Sequence, residues 1–126
     1  EASWESDRRF RMDSILLTST KKLVPNDLAR RLSQIWRVEA TADDGLVVRG
    51  PSSRVYLVFE AAPNEKGLFR IFLNYSSVDL VKEVLKQMAD DLTITVNNDF
   101  GTVLPGNKFV ERIRSEPNWN WRGRGG

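Results

Sequence analysis

The stretch Asn97-Asn98-Asp99-Phe100-Gly101 contains Asp-Phe-Gly, the triplet that holds magnesium in protein kinases. Phosphoryl transfer of that type also needs a glycine-rich loop over the phosphates, a strand lysine and a catalytic-loop aspartate. None of these motifs accompanies the triplet, and 126 residues are too few for two kinase lobes. Residue type explains the stretch better. Asn97, Asn98 and Gly101 tolerate left-handed backbone, so a turn after a strand is expected, with Phe100 tucked into the core as its anchor.

Other chemistry is limited by what the chain lacks. It has no cysteine and no histidine, which removes disulfides, thiol nucleophiles, the usual zinc sites and imidazole acid–base catalysis together. The carboxylate pairs Asp43-Asp44 and Asp90-Asp91 fall at turns or helix ends, where they read as solvated termini, and no spacing fits a calcium loop. Serines and threonines are frequent but have no histidine base; a lysine brought up from elsewhere in space stays open. The expectation is a non-enzymatic protein with no cofactor and no metal site.

Charge and hydropathy narrow the partners. Nineteen basic and 17 acidic residues leave a net charge of +2, and the basic pairs Arg8-Arg9, Lys21-Lys22 and Arg30-Arg31 are scattered. Binding to nucleic acid is therefore expected to be weak and easily lost to salt. The longest apolar runs, residues 15–17 and 55–59, are strand-sized and far short of the ~20 residues that span a bilayer. No membrane partner is expected, and a cytoplasmic location is compatible with the absence of cysteine.

The C-terminal segment is the most unusual feature. Trp119 and Trp121 stand two apart, interleaved with asparagines and followed by Arg122. Tryptophan beside arginine is the composition of interface hot spots and of platforms that stack single-stranded bases. The same residues could instead fold back over the sheet and lock the terminus. Sequence leaves the two open.

The elements that must position these residues are legible from period and punctuation. Residues 14–20 read as a strand. Pro25 opens a helix whose apolar face runs Leu28, Leu32, Ile35 and Trp36. Alternation through Trp36, Val38 and Ala40 marks a half-buried strand, and Asp43-Asp44-Gly45 a turn. Further strands are expected at residues 46–49, 55–59 and 68–75, the second apolar enough to be covered on both faces. Ser76 with Asp79 reads as a capping box for a helix burying Val78, Val81, Val84, Leu85 and Met88. A short strand at residues 93–96 precedes the Asn97–Gly101 turn. A last short helix opens near Pro105-Gly106-Asn107, buries Phe109, Val110 and Ile113, and stops before Pro117.

The order β-α-β-β-β-β-α-β-α gives an α+β fold. It is expected as a single domain over residues 12–122: a mainly antiparallel sheet with a four-strand meander, packed by two longer helices and a short C-terminal helix. Residues 1–11 read as an extension outside the core, with Arg8, Arg9 and Arg11 balanced by Glu1, Glu5 and Asp7. Residues 123–126 read as a loose tail.

With its one compact α+β domain, no catalytic constellation and the loop-rich edge "NNDFGTVLPGNKF", the chain resembles small bacterial immunity proteins that neutralise a partner toxin in polymorphic or contact-dependent systems. The resemblance spans residues 12–121 and implies a cytoplasmic protein that acts by occluding a toxin domain. The slight positive charge points away from a nuclease partner, whose inhibitors resemble acidic decoys. The expected contact surface joins Asn97, Asn98, Asp99 and Asn107 of the edge to Trp119, Trp121 and Arg122. Two other readings stand beside it: an RNA-binding sheet using Tyr56, Phe59, Phe69, Phe72 and Tyr75 with arginines, and a small enzyme of unrecognised type.

Overall fold

The computed structural model describes residues 12–122; the expected extension at 1–11 and tail at 123–126 lie outside the described residues. The elements are β1 (Asp13–Ser19), α1 (Pro25–Leu32), β2 (Arg37–Ala40), β3 (Leu46–Arg49), β4 (Arg54–Phe59), β5 (Phe69–Tyr75), α2 (Val78–Met88), β6 (Ile94–Asn97), β7 (Val103–Pro105) and α3 (Gly106–Ser115). The seven strands form one sheet in the order β2-β3-β4-β5-β1-β6-β7, with every pairing antiparallel. The expected meander is β2 to β5. The strand missed by the sequence reading is β7, a three-residue edge that closes a hairpin with β6. No described helix is long and apolar enough to cross a membrane.

The first strand sits inside the sheet because its alternation serves neighbours on both sides. Leu17 lies opposite Ile71 of β5 and Val96 of β6, and Ile15 opposite Leu73. Carrying that register outward aligns Leu57, Leu46, Val55 and Val48 on the same side. These residues form one cluster with Leu28 and Leu32 of α1, Val81, Val84, Leu85 and Met88 of α2, and Phe109 and Ile113 of α3. All three described helices thus cover one face of the sheet, and no described helix packs on the other.

Three local expectations are corrected. Helix α1 ends at Leu32, so Ile35 does not continue its buried face and is 52% exposed. The chain must reverse into β2, and the N–H groups of Ile35 and Trp36 both donate to Leu32 O to make that turn. Strand β4 is not covered on both faces: Val55 and Leu57 are buried while Val58 is 41% exposed. The cap of α2 is Ser77, whose Oγ accepts the Leu80 N–H at 3.4 Å, one residue later than Ser76. Asp79 then stands in the first helical turn, where it complements the dipole.

Candidate functional site

The aromatic tail belongs to the core. Trp121 is 0% exposed, and its indole N–H donates to the Tyr75 hydroxyl at 2.7 Å. Its ring meets Trp119, Phe109 and Tyr75 edge-on, with centroids 5.0, 5.6 and 6.3 Å away. Trp119 is 7% exposed, with the Arg112 guanidinium 3.8 Å from its ring centre. Arg122 binds the Asp13 carboxylate at 2.7 Å and donates to Ser76 O, tying the chain end to β1 and to the start of α2. Buried Lys82 donates to Pro117 O at 3.0 Å, and desolvation pushes its pKa below the ordinary lysine value. Burial likewise pushes the Tyr75 phenol up, keeping it protonated.

Trp119 and Trp121 are therefore removed from the expected contact surface, and Arg122 is engaged within the chain through Asp13 and Ser76 O. The reason is packing: where α3 meets the end of β5, the two indoles fill the gap against Phe109 and Tyr75 better than solvent can.

The β6–β7 edge divides similarly. Asn98 is 0% exposed, and its Oδ1 accepts the N–H groups of Phe100 (2.8 Å) and Thr102 (3.1 Å). This buried amide staples the turn, so Phe100 is not needed as an anchor and is 40% exposed. Asn107 keeps its Oδ1 buried without a hydrogen-bond partner, as Asn98 does its Nδ2. Asn97 is half-buried and Asp99 exposed; the Asn97 Oδ1 accepts the Asp99 N–H at 2.8 Å. Positive φ at Asp99 (65°) and Gly101 (101°) makes the Asp-Phe-Gly triplet a tight turn. Among the described residues no group of three or more histidine, cysteine or acidic residues could hold a metal.

One spacing passed over in the sequence is Ser19-x-x-Lys22, which in some acyl-transfer enzymes places a lysine beside a nucleophilic serine. Here Ser19 ends β1, is buried, and its Oγ accepts the Lys21 N–H at 3.0 Å. The two residues after it are not helical, so nothing stacks Lys22 over the hydroxyl. Lys22 instead lines a groove of about 440 Å³ with Leu23, Val24, Phe59, Asp43 and Glu60. Two carboxylates there are already engaged, Asp43 by the Thr41 hydroxyl and Glu60 by two N–H groups of Arg70.

The sheet face that no described helix covers, the uncovered face, was invisible before register was known. Residues opposite one another across β4, β5, β1, β6 and β7 form a row: Val58, Phe72, Leu16, Asn97 and Val103. Its ends are open, Val58 at 41% and Val103 at 57% exposure. A parallel row runs Glu39, Val47, Tyr56, Asn74 and Ser14, the last two joined by a hydrogen bond between their side chains. Of the five aromatics considered for base stacking, Tyr56 and Phe72 lie on this face. Tyr75 and Phe59 join the core, and Phe69 alternates onto the same covered side.

At one corner of this face Arg37, Arg49 and Arg54 stand opposite one another on β2, β3 and β4. The Glu39 carboxylate accepts from Arg49 Nε at 3.0 Å and forms an ion pair with Arg37 Nε at 3.2 Å. The Arg49 hydrogen bond and charge, then Arg37, hold the Glu39 carboxyl below the usual carboxylate range. A lowered folded pKa means stability present above the unfolded value and lost as pH falls through the folded one. Glu39→Gln should therefore be less stable than the native chain at neutral pH, with the two converging on acidification. Urea midpoints measured across that range check it, and parallel curves would contradict it.

No family model, curated protein or solved structure matches the chain.

Proposed function

We propose that the protein is a non-enzymatic binding module of the immunity type, which neutralises a partner bacterial toxin in the cytoplasm by occluding it with the uncovered face of the sheet. The observation that carries this reading is the row from Val58 to Val103, apolar except for Asn97 and continuous across five strands. At ~4.8 Å per strand the row is about 19 Å long, the scale of the apolar centre of a standard protein interface. Exposed Phe100 lies in the hairpin that carries Val103, so the surface continues onto the β6–β7 edge with Asn97 and Asp99.

The sheet edges are poorer candidates. β2 has four residues with Arg37 and Glu39 on it, and β7 has three ending in Pro105. Short, charged or proline-bearing edges resist strand addition. Recognition through side chains of the face is thereby favoured over pairing through backbone.

Val58→Asp and Val103→Asp test the reading, since both positions are open and neither supports the core. Tagged native and variant chains are compared by co-purification from the native host, and the captured protein is then titrated in pure form. The expected result is one stoichiometric protein partner, inhibited on binding, whose affinity falls about tenfold or more in each variant. Undiminished affinity in folded variants, or RNA as the retained species, overturns the proposal.

A further inference from the structure

We infer that the arginine corner beside the β3–β4 hairpin is a carboxylate-recognition subsite, and that the surface docking on the uncovered face is a protein segment with acidic side chains flanking its apolar centre. The inference rests on the reading of that face as the docking surface.

Like charges placed directly opposite on neighbouring strands destabilise a sheet, yet Arg37, Arg49 and Arg54 occupy successive partner positions. Three guanidinium groups against the single carboxylate of Glu39 leave two positive charges at this corner. Elsewhere on the same face the balance differs: Arg70 is matched by Glu60 through two hydrogen bonds of 2.7 and 2.8 Å. The excess is therefore local.

The corner also has shape. Arg49, Gly50, Pro51, Ser52, Ser53 and Arg54 line a cavity of about 320 Å³, and the hairpin is closed by the Gly50 N–H donating to Ser53 O at 2.8 Å. Glu39 engages the Nε atoms of Arg37 and Arg49, and Arg54 donates one Nη1 bond to the Tyr56 hydroxyl at 3.2 Å. The forked Nη groups of Arg37 and Arg49 are left to bind a planar carboxylate through two parallel hydrogen bonds, with serine hydroxyls beside them.

Carboxylates of a protein are favoured over phosphates of a nucleic acid by what adjoins the corner. Beside the corner stands one ring, Tyr56, whose hydroxyl accepts from Arg54; the row beyond it offers aliphatic Val58 and Leu16, and Phe72 already has the Arg70 guanidinium over it at 5.9 Å, so a run of stacked bases has no continuous platform. A chain with net charge +2 also gains little from counterion release.

The test uses the whole chain, isotope-labelled, titrated separately with hexaglutamate peptide, a short oligothymidylate and inorganic phosphate at low and physiological salt. Hexaglutamate should shift the side-chain N–H signals of Arg37, Arg49 and Arg54 and the backbone amides of Ser52 and Ser53. Arg37→Gln with Arg54→Gln, which spares the main Arg49–Glu39 bond, should weaken that binding about tenfold or more with a urea midpoint close to the native one, while Val58→Asp leaves these shifts in place. No shift with hexaglutamate overturns the inference. So does tighter binding of oligothymidylate or phosphate at the same signals, or shifts spread over all surface cations. The two proposals fail separately: Val58→Asp reports on the apolar row, and the arginine pair on the corner.

Discussion

Trp121→Ala is expected to lower the stability of the chain by about 4 kcal/mol or more, enough to bring a domain of ordinary stability close to unfolding. Two losses combine. Removing a fully buried indole forfeits its transfer energy and leaves a cavity ringed by Tyr75, Phe109 and Trp119. It also strips the buried Tyr75 hydroxyl of the indole donor at 2.7 Å, and an unmet buried polar group costs about 1–3 kcal/mol by itself. Trp121→Phe separates the contributions, since it keeps most of the ring packing and loses the N–H; a cost of about 1–2 kcal/mol is expected. Urea denaturation with an unchanged slope is the measurement. An unaltered midpoint in Trp121→Ala would mean that the tail is not docked and would return both indoles to the list of contact residues.

That experiment also locates what sequence could not decide. Tryptophans two apart beside an arginine have the same composition whether they form a hot spot or a lid. The deciding partner, Tyr75, is 46 residues away in the chain, and no local pattern reports it. Strand alternation, by contrast, was legible wherever one side of a strand was polar. Ser14, Thr18 and Asn74 face away from the helices, and the buried set of β1 and β5 follows directly. Where alternation failed it failed informatively. The apolar run in β4 suggested burial on both faces because Tyr56 and Val58 are large and apolar, yet they face outward on the proposed docking surface. Phe100 was misplaced for a related reason: hydrophobicity nominated it as the anchor of its turn, whereas the two orphan N–H groups there require an acceptor, which Asn98 supplies. The arginine corner was beyond reach because Arg37, Arg49 and Arg54 meet through the pairing of three strands.

Gly106→Ala should cost about 3 kcal/mol or more, although alanine is the better helix former by roughly 1 kcal/mol in an open helix. Gly106 is the first residue of α3, where a helix start would ordinarily welcome any small side chain. A methyl group here would stand 2.0 Å from Ala89 O, 2.8 Å from Asp91 O and 3.1 Å from Ala89 C. All three are backbone atoms of the connection between α2 and β6, so no side chain can swing aside to make room. That connection is also held in place. The Asp91 N–H donates to Ala89 O at 2.7 Å, and the Asp91 carboxylate accepts both the N–H and the hydroxyl of Thr93 at 2.8 Å. Relief must come from moving α3, which carries Phe109 against both Trp119 and Trp121. The variant should therefore show a lowered urea midpoint together with altered tryptophan fluorescence. Lys108→Ala, on the exposed side of the same helix, serves as control and should stay within about 0.5 kcal/mol of the native chain, since its 3.6 Å ion pair with Glu111 is solvent-exposed. Gly106→Ala as stable as the native chain would show that α3 does not enter the fold against the α2–β6 connection.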